Sequence, residues 1–198
     1  MVTTLDRRSR HKLATFRAIA GAARELTLAR GLDGVTIEEI ADAAGVSPRT
    51  FFNYFSCKEE AIVGVEPAVL AAIAEEVEAR PADEPPLTAL FAVFVPEDES
   101  ALARRWMLRT ELMRRHPQLL PRHMAALVDL ELALTGAVAT RMGLDPVADP
   151  RPRLIVSSAV AAFRSTMEWW HDSGQEVALG DAMRTAFDSL ARGLQARP

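Results

Sequence analysis

No stretch of this chain alternates apolar and polar residues with a period of two over a usable length, whereas apolar residues recur at steps of three and four almost throughout. That pattern excludes a sheet and predicts an all-α fold. Over residues 10–30 the apolar positions Leu13, Phe16, Ile19, Ala23 and Leu26 mark a first helix, and Gly31 stands where a left-handed C-cap falls. Further helices are expected over residues 86–95, 100–115, 118–142, 152–173 and 177–195, separated by proline, glycine and acidic residues. Pro67 is expected to break or kink the helix that opens near residue 56.

Between the first helix and residue 58 the local signals are dense. Asp33-Gly34 reads as a turn, and Thr36-Ile37-Glu38-Glu39 as a capping box that starts a short second helix ending before Gly45. Ser47-Pro48 is an N-cap followed by proline at the first helical position, so a third short helix should cover residues 48–54. Ser56 through Glu59 repeats the capping spacing, with Cys57 and Glu60 as an alternative one residue later.

Two short helices joined through Gly45 have the proportions of a helix-turn-helix, whose second helix enters the major groove of DNA. Here that helix brings Arg49, Thr50, Asn53 and Tyr54 as hydrogen-bonding groups, with Phe51, Phe52 and Phe55 to anchor its other side. Arginine bonds guanine edges, asparagine bonds adenine edges, and hydroxyls reach bases or phosphates.

Residues 31–55, GLDGVTIEEIADAAGVSPRTFFNYF, followed by Lys58-Glu59-Glu60, resemble the tetracycline-repressor (TetR) family of transcriptional regulators, and the likeness covers residues 16–62. It implies a DNA-binding domain over residues 1–57 and a helical ligand-binding and dimerisation domain over residues 58–198. It also implies a homodimer on a palindromic double-stranded operator, with half-site centres roughly 34–36 Å apart. By matching positions, Thr36, Ser47, Pro48, Arg49, Thr50, Asn53, Tyr54 and Lys58 become DNA contacts. Arg49 and Thr50 are the base readers; Tyr54, Thr36 and Lys58 face phosphate. Arg7 and Arg10, with Arg8 and Lys12, form a basic arm ahead of the first helix that adds backbone contacts. Cys57 departs from the family pattern, which has a capping residue there.

In the second half, Leu102, Trp106, Arg109 and Met113 share one helical stripe, and Leu120, Met124, Leu127, Glu131, Leu134 and Val138 share another. The charged members, Arg109 and Glu131, either face each other as an ion pair or supply polar anchors in an apolar pocket. Phe91, Phe94, Phe163, Met167 and Trp170 add soft and aromatic surface. The resemblance implies a small-molecule cavity here, and the actinobacterial-type pattern from Glu111 to Pro152 suggests a hydrophobic or acyl-type ligand. It assigns dimerisation to the last two helices, through Ala159, Ala162, Ala186, Phe187, Leu190 and Leu194.

Glu168 and His171 have the Glu-x-x-His spacing of di-metal bundles, but no second copy accompanies them. No phosphate loop, nucleophile elbow or paired cysteines occur either, so no catalysis, cofactor or metal is expected. The other function class open to such a chain is a helical small-molecule carrier with no sequence-specific DNA role. The longest stretch free of charged residues is residues 85–96, too short for a bilayer, and a single cysteine suits a reducing cytosol; no membrane role is expected. The net charge of -4 weighs against a nucleic-acid partner until it is divided. Residues 1–58 hold nine basic and six acidic residues; the excess of acid lies wholly in the remainder.

Overall fold

The computed structural model describes residues 7–63, 67–95 and 99–193, and within these the side chains of residues 7–11, 13, 67, 101, 102 and 105 lie outside the description. The described residues form helices and connecting turns, with no strand among them. In chain order the helices are α1 (Arg7–Arg30), α2 (Ile37–Ala43), α3 (Pro48–Phe52), α4 (Lys58–Val63), α5 (Pro67–Ala79), α6 (Pro86–Phe94), α7 (Glu99–Arg115), α8 (Leu120–Met142), α9 (Arg151–Asp172) and α10 (Leu179–Ala191). A 3-10 turn, Pro117–Leu119, leads into α8.

One expectation changes. The helix over residues 10–30 begins at Arg7, so Arg7 and Arg10 belong to its first turns and not to an arm ahead of it; their side chains lie outside the described residues. The break expected at Pro67 is present: α4 and α5 are separate helices and Pro67 opens the second, because a proline without an N–H loses nothing in a first helical turn.

The chain forms two compact units, one of residues 1–69 and 109–127, the other of residues 70–108 and 128–198. In the first, α1 packs on α2 and α4, and α2 on α3. Phe16, Ile19, Ile40, Phe51, Phe55 and Ile62 are buried, with the Phe16 and Phe55 rings 4.6 Å apart and the Phe51 and Phe55 rings 5.7 Å apart. Phe52, expected to share this anchoring, is 55% exposed and meets Phe51 only edge-on. On a helix of five residues, one phenylalanine turns inward and its neighbour, about 100° further round, cannot.

In the second unit α9 packs on α10 and both pack on α6. Val77, Leu90, Leu134, Val138, Val156, Ala159 and Phe187 form one buried cluster; Met167, Trp170, Leu179 and Met183 form another. Arg141 ties the end of α5 to the loop after it: Nη1 donates to the carbonyl oxygens of Val77 and Arg80 at 3.2 and 2.7 Å, and Nη2 to those of Pro81 and Glu84 at 2.7 and 2.8 Å. The segment 117–142 has the length and mean hydropathy (1.2) of a membrane-crossing helix. It nevertheless carries Arg122, Asp129 and Glu131, and it sinks Leu134 and Val138 into the protein core.

Candidate nucleic-acid interface

Local hydrogen bonds fix both ends of the helix-turn-helix. Thr36 caps α2: its Oγ1 accepts from the Glu39 amide at 3.2 Å, and Glu39 Oε2 accepts from the Thr36 amide at 2.9 Å. Arg30 adds an ion pair to Glu39 at 2.6 Å, and these bonds, that from the Thr36 backbone foremost, hold the Glu39 carboxyl below its ordinary range. Gly45 turns the chain at φ 67°, in the left-handed region that a side chain disfavours, and its amide bonds Asp42 O at 2.9 Å. Ser47 Oγ then accepts from the Thr50 amide at 3.1 Å and lies 2.9 Å from Thr50 Oγ1.

These caps aim α3. Phe51 is fully buried, whereas Arg49 and Asn53 are exposed on the opposite side; Pro48 is exposed as well, and Thr50 and Tyr54 are half-buried. Regular helix ends at Phe52, with Asn53 as its C-cap and Tyr54 in the turn beyond, two residues earlier than the spacing predicts. Arg49 and Asn53 carry no intramolecular side-chain hydrogen bond among the described residues, so their donors and acceptors remain open to base edges.

Lys58 behaves differently from the exposed phosphate contact that its position suggests. Its Nζ donates to the carbonyl oxygens of Leu32 and Val35 at 2.6 and 2.9 Å, which leaves one N–H for a phosphate. Sequence reasoning had no signal for this bond, which spans 26 residues. α4 begins at Lys58, and Glu60 binds Ser56: its Oε2 accepts from the Ser56 amide at 2.7 Å and from its hydroxyl at 2.6 Å. That pairing, four residues apart, matches neither of the two expected capping spacings.

The residues grouped for ligand binding divide. Phe91, Phe94, Phe163 and Trp106 join Phe187 in a chain of edge-to-face rings with centroids 5.4 to 6.4 Å apart, beside buried Met167 and Trp170. Trp106 Nε1 is buried there with no hydrogen-bond partner among the described residues. Met113 and Leu127 are half-buried, and Met124 is 49% exposed, so it lines no core. Leu120 is likewise exposed, so the stripe on α8 is buried only towards its C-terminal end.

Arg109 and Glu131 do not pair. Arg109 donates from Nε and Nη2 to Nδ1 of His123 at 3.1 and 2.7 Å, and Glu131 accepts from Ser157 Oγ at 2.8 Å. Matching charges on two helical stripes says nothing of their axial register, and each group found a nearer partner.

The dimerisation set is also redistributed. Ala159 and Phe187 are buried within their own unit and serve its core; Leu194 lies outside the described residues. Ala162, Ala186 and Leu190 are half-buried. Ala186, with Ser165, Trp169, Val177, Asp181, Thr185 and Ser189, lines a groove on α9 and α10 in which Trp169 is 53% exposed.

Comparison with known proteins bears on both halves. Residues 19–62 match the family described as bacterial regulatory proteins of the tetR family, and residues 85–195 match the MftR C-terminal domain. The transcriptional regulator TcmR of Streptomyces glaucescens is 36% identical over 179 residues, covering 85% of this chain and 79% of TcmR. The chain belongs to the TetR family. This TetR regulator is also 27% identical to MftR of Mycobacterium tuberculosis, a protein named for mycofactocin biosynthesis, over 96% of each chain. In fold it is similar to FadR of Thermus thermophilus in complex with lauroyl-CoA, at a TM-score of 0.58 and 24% identity over 92% of this chain and 96% of that one. FadR of Bacillus subtilis in complex with stearoyl-CoA gives a TM-score of 0.59 at 20% identity over 91% and 100%. Membership decides between the two classes of function: TetR proteins are transcriptional regulators that bind DNA through the helix-turn-helix, not enzymes or carriers.

Proposed function

We propose that this regulator is a repressor that binds a palindromic operator as a homodimer and releases or tightens its grip when a small acyl-type or other hydrophobic molecule occupies its helical half. The observation that carries the DNA part is the polarity of α3, with Arg49 and Asn53 exposed opposite a fully buried Phe51. Arg49 and Asn53 read base edges, with Thr50. Ser47, Pro48, Thr36, Tyr54 and the remaining N–H of Lys58 hold the backbone, and Arg7 and Arg10 extend that contact. The reading domain is residues 1–57, and the responding domain residues 58–198. The protein acts in the cytoplasm, where its DNA is.

A ligand of apolar body with one hydrogen-bond acceptor suits the aromatic chain around Trp106, whose buried N–H lacks a partner among the described residues. The acyl-CoA complexes of the two FadR proteins support an acyl chain as that body. The groove beside Trp169, with its small flanking residues, suits close approach of the same helices from a second copy.

Selection of genomic fragments by the purified protein tests this directly. The expected product is a set of palindromes with half-sites one helical turn apart, lost with Arg49→Ala or Asn53→Ala in a protein that still folds. Recovery of no common sequence would reject the repressor. Sedimentation gives the second test: Trp169→Glu should convert a dimer to a monomer, and a monomeric parent protein would reject the dimer.

A further inference from the structure

Of the four phenylalanines in the unit that carries the helix-turn-helix, Phe16, Phe51 and Phe55 are at most 8% exposed, whereas Phe52 is 55% exposed. Its ring meets the Phe51 ring edge-on, with centroids 5.6 Å apart, and more than half of its surface faces solvent.

Helical geometry fixes the side to which it points. Counted from buried Phe51 at about 100° per residue, Pro48 lies about 60° round the helix, Phe52 about 100°, Arg49 about 160° and the C-cap Asn53 about 200°. The outward face of α3 therefore carries two ridges side by side, a polar one of Arg49 and Asn53 and an apolar one of Pro48 and Phe52. All four residues are exposed.

Arg49, Thr50, Asn53 and Tyr54 can each exchange a hydrogen bond with a base edge or a phosphate. Phe52 has neither donor nor acceptor, so it gains in the major groove only by covering an apolar group. Base pairs present one such group there, the C5-methyl of thymine. Covering the ring and that methyl together takes out of water an apolar surface that the free protein leaves exposed.

We propose that Phe52 reads thymine: its ring covers the C5-methyl of a thymine next to the base pairs met by Arg49 and Asn53. The operator half-site then carries thymine at one fixed place, set by an apolar contact and not by a hydrogen bond. The inference rests on the operator reading proposed above and deepens it, because it assigns a base to a residue that the sequence pattern placed in the core.

The test uses the full chain and the operator recovered by genomic selection. Each thymine of the half-site is replaced in turn by deoxyuridine, in both halves of the palindrome, which removes the methyl and keeps every hydrogen-bonding group. Affinity by fluorescence anisotropy and melting temperature are read for the parent protein, Phe52→Ser, Phe52→Leu and Tyr54→Phe. For the parent, uracil at one position should weaken binding by about fourfold per half-site, the worth of one buried methyl-sized group. Phe52→Ser should bind the thymine and uracil forms equally at that position, with its melting temperature held or raised. Phe52→Leu, which stays apolar, should keep part of the preference and covers the case in which the serine variant fails to fold. Tyr54→Phe, which removes a phosphate contact, should bind both forms more weakly at an unchanged ratio. A half-site without thymine, binding indifferent to every methyl, or a methyl preference undiminished in both Phe52 variants overturns the thymine reader. An operator selected with no methyl effect that depends on Phe52 rejects the thymine reader alone, whereas a protein that selects no DNA rejects the repressor and the reader with it.

Discussion

The Lys58 ammonium lies 2.6 Å from the carbonyl oxygen of Leu32, across the first turn of the DNA-reading unit. With a second bond to Val35 O at 2.9 Å, it closes the loop between α1 and α2 onto the start of α4. Hydrogen bonds from a charged donor are worth about 1.5–3 kcal/mol.

Lys58→Met is therefore expected to lower stability in urea unfolding by about 2 kcal/mol. Arg49→Ala removes a side chain with no such partner and should stay within about 0.5 kcal/mol of the parent protein. Fluorescence anisotropy on a recovered operator should show the reverse order, with Arg49→Ala the more damaging. Equal losses of DNA affinity from two stable proteins would show that Lys58 is mainly a phosphate contact.

Arg141 gives the strongest stability prediction. Its guanidinium serves four backbone carbonyls between Val77 and Glu84 at 3.2 Å or less, acceptors that a point ammonium cannot reach together. Arg141→Met should cost about 2–4 kcal/mol, with Arg141→Lys restoring only part. Denaturant midpoints at unchanged slope would verify this, and a full rescue by lysine would contradict the forked geometry.

Trp106→Phe removes a buried indole N–H that has no partner among the described residues, at the expense of some ring contact with Phe163 at 5.8 Å. Thermal melting without ligand should change by no more than about 1 kcal/mol equivalent, since the lost ring atoms and the removed orphan donor offset each other. With lauroyl-CoA present, the parent protein should gain more in melting temperature than the variant. Equal gains would mean that the indole donor meets no ligand group.

Glu111 supplies a pH test. Hydrogen bonds from Arg114 first and Arg115 second push its carboxyl down to about 2. A depressed carboxyl stabilises the folded state above its unfolded pKa, about 4.3, and that contribution fades as pH falls towards the folded value. Carboxyl NMR should therefore find Glu111 still ionised at pH 3. In Arg114→Gln with Arg115→Gln, its midpoint should return to the ordinary carboxylate range.

The helices were legible because their signals are local. Thr36 with Glu39, Gly45 and Ser47-Pro48 each act within four residues through caps and turn conformations, and the helix-turn-helix follows from them in order. The helix spacing likewise fixed all-α architecture, and the run through residues 31–55 carried the family. What it could not decide was which partner each charged or aromatic group meets across the fold. Lys58 found carbonyls 23 and 26 residues away, Arg109 found His123 in place of Glu131, and Ala159 and Phe187 turned into their own core. Helical periodicity specifies which face a residue occupies and leaves open how far one helix slides or rotates against the next. That register is set by packing of whole side chains, so the reading helix was written in the sequence, while the bonds of Lys58 to Leu32 and of Arg109 to His123 came into view only in the tertiary structure.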